Sequence, residues 1–157
     1  MQHPGGGKND IPNRAKRHFF IFNMTLPASI KKIFGPIIKF HFKEKYFTPE
    51  FNRVVDGLCG ATIKLWQKVQ QTMLRTPSKF HYVFNMRELS RIFKGILNIK
   101  RDVAKKALNM KNMSSYIYLI ALWKHECERV FVDKLISLKD KKTVNEYIQE
   151  ISFESFS

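Results

Sequence analysis

The sequence predicts a mainly α protein: a bundle of four to five helices preceded by one short β-strand. Three observations carry this prediction. From Ile30 onward apolar residues recur at three- and four-residue spacings, the period of a helix with one buried face. The stretches "TPEF" and "NMRE" are helix-start signals. The one strand-like stretch is "FFIFNMTL", Phe19–Leu26, short, aromatic and bounded by basic residues and a proline. At 157 residues, with 44% hydrophobic and 13% aromatic content, the chain is long enough to bury the core of one domain.

Residues 1–18 are rich in Gly, Pro and basic residues and read as a loop, with a turn or short helix around Pro12–Arg17. The strand at Phe19–Leu26 needs partners to pair its backbone groups, and the rest of the chain offers none. Ser29 is placed to cap a helix with an apolar stripe of Ile30, Ile33, Phe34, Ile37, Ile38 and Phe42. Gly35-Pro36 predicts a kink or break within it. Thr48 as cap, Pro49 at the first helical position and Glu50 beside the positive helix end open a long helix. Its stripe is Phe51, Val54, Val55, Leu58, Leu65, Trp66, Val69 and Met73, ending near Leu74.

"RTPSKFHYVF" reads as a loop with an extended aromatic stretch. Asn85, with Glu88 three residues later, forms a capping box for a helix that buries Leu89, Ile92, Phe93, Ile96 and Leu97. Residues 99–113 are basic and weakly periodic, a connection or a poorly docked helix. Ser114 or Ser115 caps a long helix through Tyr116, Leu119, Ile120, Trp123, Cys127, Val130, Phe131 and Leu135. A short helix with Val144, Tyr147, Ile148 and Ile151 follows. The stripes read as bundle core rather than as a ligand groove.

The formal charge of +15 is unevenly distributed. Lys/Arg outnumber Asp/Glu nine to three over 1–50 and nine to two over 51–100, but only ten to eight over 101–157. Such a surface attracts phosphates, nucleic acid, acidic lipids or acidic protein segments, and charge alone does not choose among them. Cys59 and Cys127 lack metal or disulfide spacing and read as free thiols of a reduced intracellular protein. No run of 18 apolar residues is present and no apolar signal region follows Met1, so neither a membrane span nor secretion is expected.

"GGGK" at Gly5–Lys8 raises the question of a phosphate-binding loop. That motif needs a glycine four residues before the Gly-Lys pair and a Ser or Thr after the lysine, and here Asn9 follows. A loop is the better reading. "HEC", His125–Cys127, spreads its ligands over different faces of a helix, so no metal site is expected. No catalytic set of nucleophile, base and orienting group assembles from sequence neighbours. The strongest features are arginines: Arg14 and Arg17 before the strand, and Arg87 and Arg91 one turn apart after a helix cap. A guanidinium held at an element start is suited to gripping a phosphoryl group, though such arginines also serve as solvated charges or partners of Glu88.

The stretches "HPGGGKNDIPNRAKRHFFIFNMTLP", "SIKKIFGPI", "TPSKFHYVFNMRELSRIFKGIL" and "LWKHECERVFVDKLI" resemble the third AAA+ module of dynein heavy chains of the axonemal outer-arm type. The resemblance spans nearly the whole chain and is weakest over 99–113. It implies that residues 1–26 are the C-terminal remnant of the large AAA+ subdomain, with Phe19–Leu26 its last, remnant strand. Residues 27–157 would be the helical AAA+ lid subdomain and the start of the linker to the next module. It further implies Arg87 as the sensor-2 residue and Arg17, or secondly Arg14, as the arginine finger directed at a neighbouring module's nucleotide. ATP or ADP with Mg would belong to the intact module; this sequence contains neither Walker motif, so no cofactor and no catalytic residue is assigned to it, and it is expected to be inactive alone.

The implied partners are the remainder of the heavy chain and its neighbouring AAA+ modules. Microtubules and dynein intermediate and light chains would be reached only through that parent, in the cytoplasm and cytoskeleton of a ciliary or flagellar axoneme. The competing reading is a stand-alone basic helical module that binds nucleic acid or acts as an adaptor, supported by the charge and by aromatics interleaved with basic residues in "KFHYVF" and "KRHFFIF". An unpartnered aromatic strand makes self-association the expected behaviour of the purified chain. Light scattering should therefore report oligomers, and a soluble monomer would contradict this.

Overall fold

The computed structural model describes residues 11–22, 30–42, 49–99 and 115–156. The Gly-rich stretch at 5–8, the caps expected at Ser29, Thr48 and Ser114, and the connection from residue 100 lie outside these. The described elements are α1 (Asn13–Lys16), α2 (Ile30–His41), α3 (Pro49–Thr72), a 3-10 turn (Pro77–Lys79), α4 (Met86–Leu97), α5 (Ser115–Cys127) and α6 (Leu138–Phe156). Helix α5 continues directly into a π-helical turn, Glu128–Val132. The bundle thus has five helices, α2–α6, among the described residues.

Helix α3 forms the centre and packs against α2, α4, α5 and α6. Its buried residues, among them Val55, Leu58, Ala61, Leu65, Trp66 and Val69, fall on one broad arc of the helix, wide enough to meet several neighbours. Trp123 and Phe93 are fully buried, each contributing about 1.5–3 kcal/mol by leaving water. The rings of Phe34 and Phe93 stack with centroids 4.4 Å apart, joining α2 to α4. Burying Trp123 requires a partner for its indole N–H, which it donates to Thr62 Oγ1 at 2.8 Å; that hydroxyl donates in turn to the Leu58 carbonyl at 2.7 Å.

The structure differs from expectation in five places. Helix α2 runs unbroken through Pro36, because Gly35 and Ile38 are buried and the Lys39–Asp56 ion pair (2.9 Å) ties the helix to α3 on both sides of the proline. Its apolar stripe is only half buried. Ile30, Ile38 and Phe42 face the core and Phe34 packs against it, whereas Ile33 and Ile37 are 47% and 46% exposed, because α2 meets the bundle along one arc only. The expected long helix at 116–135 is interrupted by the π turn. Helix α6, expected to be short, has 19 residues.

The stretch expected as a strand carries no strand pairing at 19–22, and Phe20 and Phe22 are 90% and 82% exposed. No second strand exists among the described residues to complete a ladder, so the segment has nothing to pair with. Residues 23–26 lie outside the described set.

Both cysteines are free and buried. Burial pushes the Cys59 thiol up to about 11 and raises Cys127 well above its ordinary value, so both stay protonated and unreactive in the fold.

The α4–α5 contact depends on Gly95. A Cβ there would lie 1.9 Å from Glu126 Oε2, so the glycine makes room for a carboxylate that Arg129 holds at 2.6 Å. At Gly60 nothing lies within 4 Å of that position. Gly95→Ala should therefore cost about 1–3 kcal/mol, while Gly60→Ala should add about 0.5–1 kcal/mol. Urea denaturation of both variants reads this contrast, and a neutral Gly95→Ala would show that Glu126 does not fill that space.

Candidate functional site

The arginine-bearing start of α4 is set up by the loop before it. Thr76 is extended (φ −123°, ψ 163°) ahead of Pro77, which opens the 3-10 turn. Beyond the turn the side chains alternate: Tyr82 and Phe84 are buried, while His81 and Val83 are half-buried. Trp66 Nε1 donates to the Phe84 carbonyl at 3.0 Å and pins the loop to α3. Asn85 then caps α4, and the expected capping box is present: its N–H donates to Glu88 Oε2 at 2.8 Å.

The other oxygen of Glu88 is also occupied. Lys134, beyond the π turn, donates from Nζ to Glu88 Oε1 at 3.2 Å and to the Val83 carbonyl at 2.5 Å. Arg91 lies farther off, 3.8 Å from the same Oε1. This double engagement satisfies a carboxylate whose side chain is only 8% exposed.

Arg87 differs from its neighbours. It is exposed at the second position of α4, and among the described residues it makes no hydrogen bond or ion pair. A cation beside the positive end of a helix dipole is disfavoured by some tenths of a kcal/mol, and an anion arriving there meets both attractions together. A cleft of about 170 Å³ lies against the loop before α4, lined by Gln70, Met73, Leu74, Arg75 and Tyr82–Asn85; Arg87 is not part of its lining.

A second set of bonds fixes the loop from below. Tyr82 donates to Asp140 Oδ2 at 2.9 Å, and Lys79 donates to the same oxygen at 2.5 Å. The Ile136 N–H donates to the Tyr82 hydroxyl at 3.1 Å, and the His81 ring lies 3.2 Å from the Lys134 carbonyl. The hydrogen bond from Lys79, helped by that from Tyr82, holds the Asp140 carboxyl below its ordinary value of 3.8.

The arginines expected before the strand lie in and just after α1, which buries no side chain. Arg14 and Arg17 are exposed, and Arg17 Nε donates to His18 Nε2 at 3.2 Å. No hydrogen bond or ion pair among the described residues links either to the start of α4. Arg87 and Arg91, by contrast, stand on successive turns of one helix. Of "HEC", His125 is exposed while Glu126 and Cys127 are buried, and no three metal-ligating groups converge among the described residues. No described helix is long and apolar enough to cross a membrane.

Sequence reasoning missed Lys79, Tyr82, Lys134 and Asp140. Alternation in "KFHYVF" signals that Tyr82 and Phe84 share a side. Nothing local marks Lys134 or Asp140, which lie about fifty to sixty positions from their partners.

Residues 58–156 of this helical bundle match the AAA+ lid domain family, to which the chain belongs. The relatives are axonemal dyneins. The chain is 47% identical over 165 residues to "Dynein gamma chain, flagellar outer arm" of Chlamydomonas reinhardtii, covering 100% of this chain and 4% of that protein. It is 44% identical over 159 residues to "Dynein axonemal heavy chain 5" of Rattus norvegicus, covering 99% of this chain and 4% of the relative. It is likewise 44% identical over 160 residues to "Dynein axonemal heavy chain 8" of Mus musculus, covering 100% and 3%. The chain therefore spans about 4% of the length of the curated relatives it matches. The nucleic-acid and adaptor reading finds no support among these relatives, which are dynein heavy chains; of the aromatics behind it, Tyr82 and Phe84 are buried, while Phe20 and Phe22 are exposed.

The lowered Asp140 value has a pH signature. Below its ordinary value the unfolded chain takes up a proton that the folded chain resists, so the contribution is full at neutral pH and is lost as pH falls through the lower folded value. Comparing wild type with Asp140→Asn by chemical denaturation should show a stability gap at neutral pH that narrows as pH falls below the carboxyl's ordinary value of 3.8. A gap independent of pH would contradict the Lys79–Asp140 assignment.

Proposed function

We propose that this chain is the lid portion of the third AAA+ module of an axonemal, outer-arm-type dynein heavy chain, and that it couples the nucleotide state of that module to the ring of a ciliary or flagellar motor. Residues 1–26 are then the end of the large AAA+ subdomain, and residues 27–157 the lid with the start of the linker to the next module. The supporting observation is the exposed Arg87 guanidinium at the start of α4, which makes no hydrogen bond or ion pair among the described residues, in a chain of the AAA+ lid family.

In this reading Arg87 is the sensor-2 residue. A γ-phosphate brought to the first turn of α4 gains a charge-assisted bond to Arg87, and exchange of ATP for ADP removes it, so lid orientation follows nucleotide state. Arg17, or secondly Arg14, is the finger presented to the nucleotide of a neighbouring module. ATP or ADP with Mg²⁺ belongs to the complete module, whose phosphate loop would come from outside this sequence. The direct partners are the rest of the heavy chain and its adjoining modules. Microtubules and the intermediate and light chains are partners of the parent, placed by it in the axonemal cytoskeleton.

Two measurements test this. The chain with Mg-ATP should show no turnover above buffer, and sustained hydrolysis would contradict a lid without Walker motifs. In the intact heavy chain, Arg87→Ala should weaken ATP binding about tenfold or more while affecting ADP less. Equal affinities before and after the substitution would remove Arg87 from the sensing role.

A further inference from the structure

Three residues near the start of α4 carry charge that an incoming anion would feel: Arg87, Arg91 and, between them, Glu88. Glu88 is the only acidic residue on the first two turns of α4 and stands within reach of Arg91. Left to itself, its carboxylate would cancel one of the two arginines and lower the attraction for phosphate. Lys134 prevents this. Its ammonium contacts Glu88 Oε1 at 3.2 Å, while Oε2 is held by the Asn85 N–H at 2.8 Å. Lys134 is 24% and Glu88 8% exposed at the side chain, so the pair is screened less than a surface one.

We propose that Lys134 is a positioning residue for phosphate recognition by Arg87. It offsets the Glu88 carboxylate, which also lies 3.8 Å from Arg91, so that the group at the start of α4 keeps a net positive charge for an incoming anion. The inference rests on the reading of Arg87 as the phosphate-sensing group. It adds a regulatory input, because Lys134 belongs to the corner between the π turn and α6. That corner also holds the loop through His81, Tyr82 and Lys79. Any displacement of the corner that withdraws Lys134 from Glu88 returns a negative charge to the site, so the position of the last helix sets the phosphate affinity of α4. By reciprocity, phosphate at Arg87 favours the docked corner.

The test uses the whole chain and tripolyphosphate as probe, followed by ¹⁵N NMR at Arg87 Nε and the amides of residues 86–88, at about 150 mM salt to suppress diffuse binding to the basic surface. Lys134→Met should weaken the affinity about three- to tenfold, and Lys134→Arg should stay within about twofold of wild type. The decisive variant is Lys134→Met/Glu88→Gln. It lacks the lysine but also lacks the charge that the lysine neutralises, and should return to within about twofold of wild type.

A Lys134→Met chain that binds like wild type overturns the proposal. So does a double variant as weak as the single one, since Lys134 would then act through the fold and not through the charge of Glu88. Arg87→Ala separates the two levels. If it binds as tightly as wild type, the sensing role of Arg87 falls and this inference with it. If it loses binding while Lys134→Met does not, only the role of Lys134 falls.

Discussion

The hydrogen bond from the Trp66 indole to the Phe84 carbonyl connects the two halves of this molecule. Trp66 belongs to the central helix, and Phe84 to the loop that delivers α4. Both are buried, so an unmatched indole N–H or carbonyl would cost about 1–3 kcal/mol, and loop and core are obliged to meet at this point. With Phe84 held, Asn85 reaches its capping position, α4 starts there, and on its first turn Glu88 is buried while Arg87 is exposed. The position of the arginine follows from a bond made inside the core.

The polar groups around that loop follow a consistent division. Those that fix geometry are shielded and doubly engaged, as Glu88 is by Asn85 and Lys134, and Asp140 by Lys79 and Tyr82. Arg87, which makes no hydrogen bond or ion pair among the described residues, is exposed. The apolar surface shows a similar contrast. The core is closed around α3, yet the outer arc of α2 and the Phe19–Phe22 stretch present large apolar side chains to solvent, more than a monomeric surface normally carries. An enclosed core beside such exposed faces fits a subdomain that is one part of a larger assembly.

Legibility in the sequence followed the range of the interaction. The capping box at Asn85 and Glu88 is encoded within four residues and was readable, as were the buried faces of α3 and α4, whose apolar residues recur over several turns. The remainder depended on what lay opposite. Ile33 and Ile37 satisfy the same spacing rule as Ile38, and only the location of α3 decides which of them is covered. Phe19–Phe22 has strand composition, but composition does not supply a partner strand. Pro36 marks a local preference to break that packing on α3 overrides. At the site, Arg87 stood out by type and position, whereas Lys134 and Asp140 acquire meaning only when chain folding brings them beside a loop far away in sequence.

The π turn at Glu128–Val132 bears on how this region tolerates change in length. Leu119, Trp123 and Cys127 recur every four residues, which drifts about 40° per step on an ordinary helix. The wide turn, closed by the Asp133 N–H on the Glu128 carbonyl at 3.1 Å, absorbs that drift and keeps Phe131 and Leu135 inward. It behaves as a stored extra residue. Over evolutionary time, loss of one position there would tighten the turn to ordinary α-helix and leave the residues beyond it facing nearly as before, because an i+5 turn holds one residue more than an i+4 turn. Loss of a position in the regular part of α5, where no wide turn absorbs it, would instead turn everything beyond by about 100° and carry Lys134 away from Glu88 although every contributing side chain was still encoded. Spacing along this helix is thus inherited information in its own right, separate from the identity of the residues it positions.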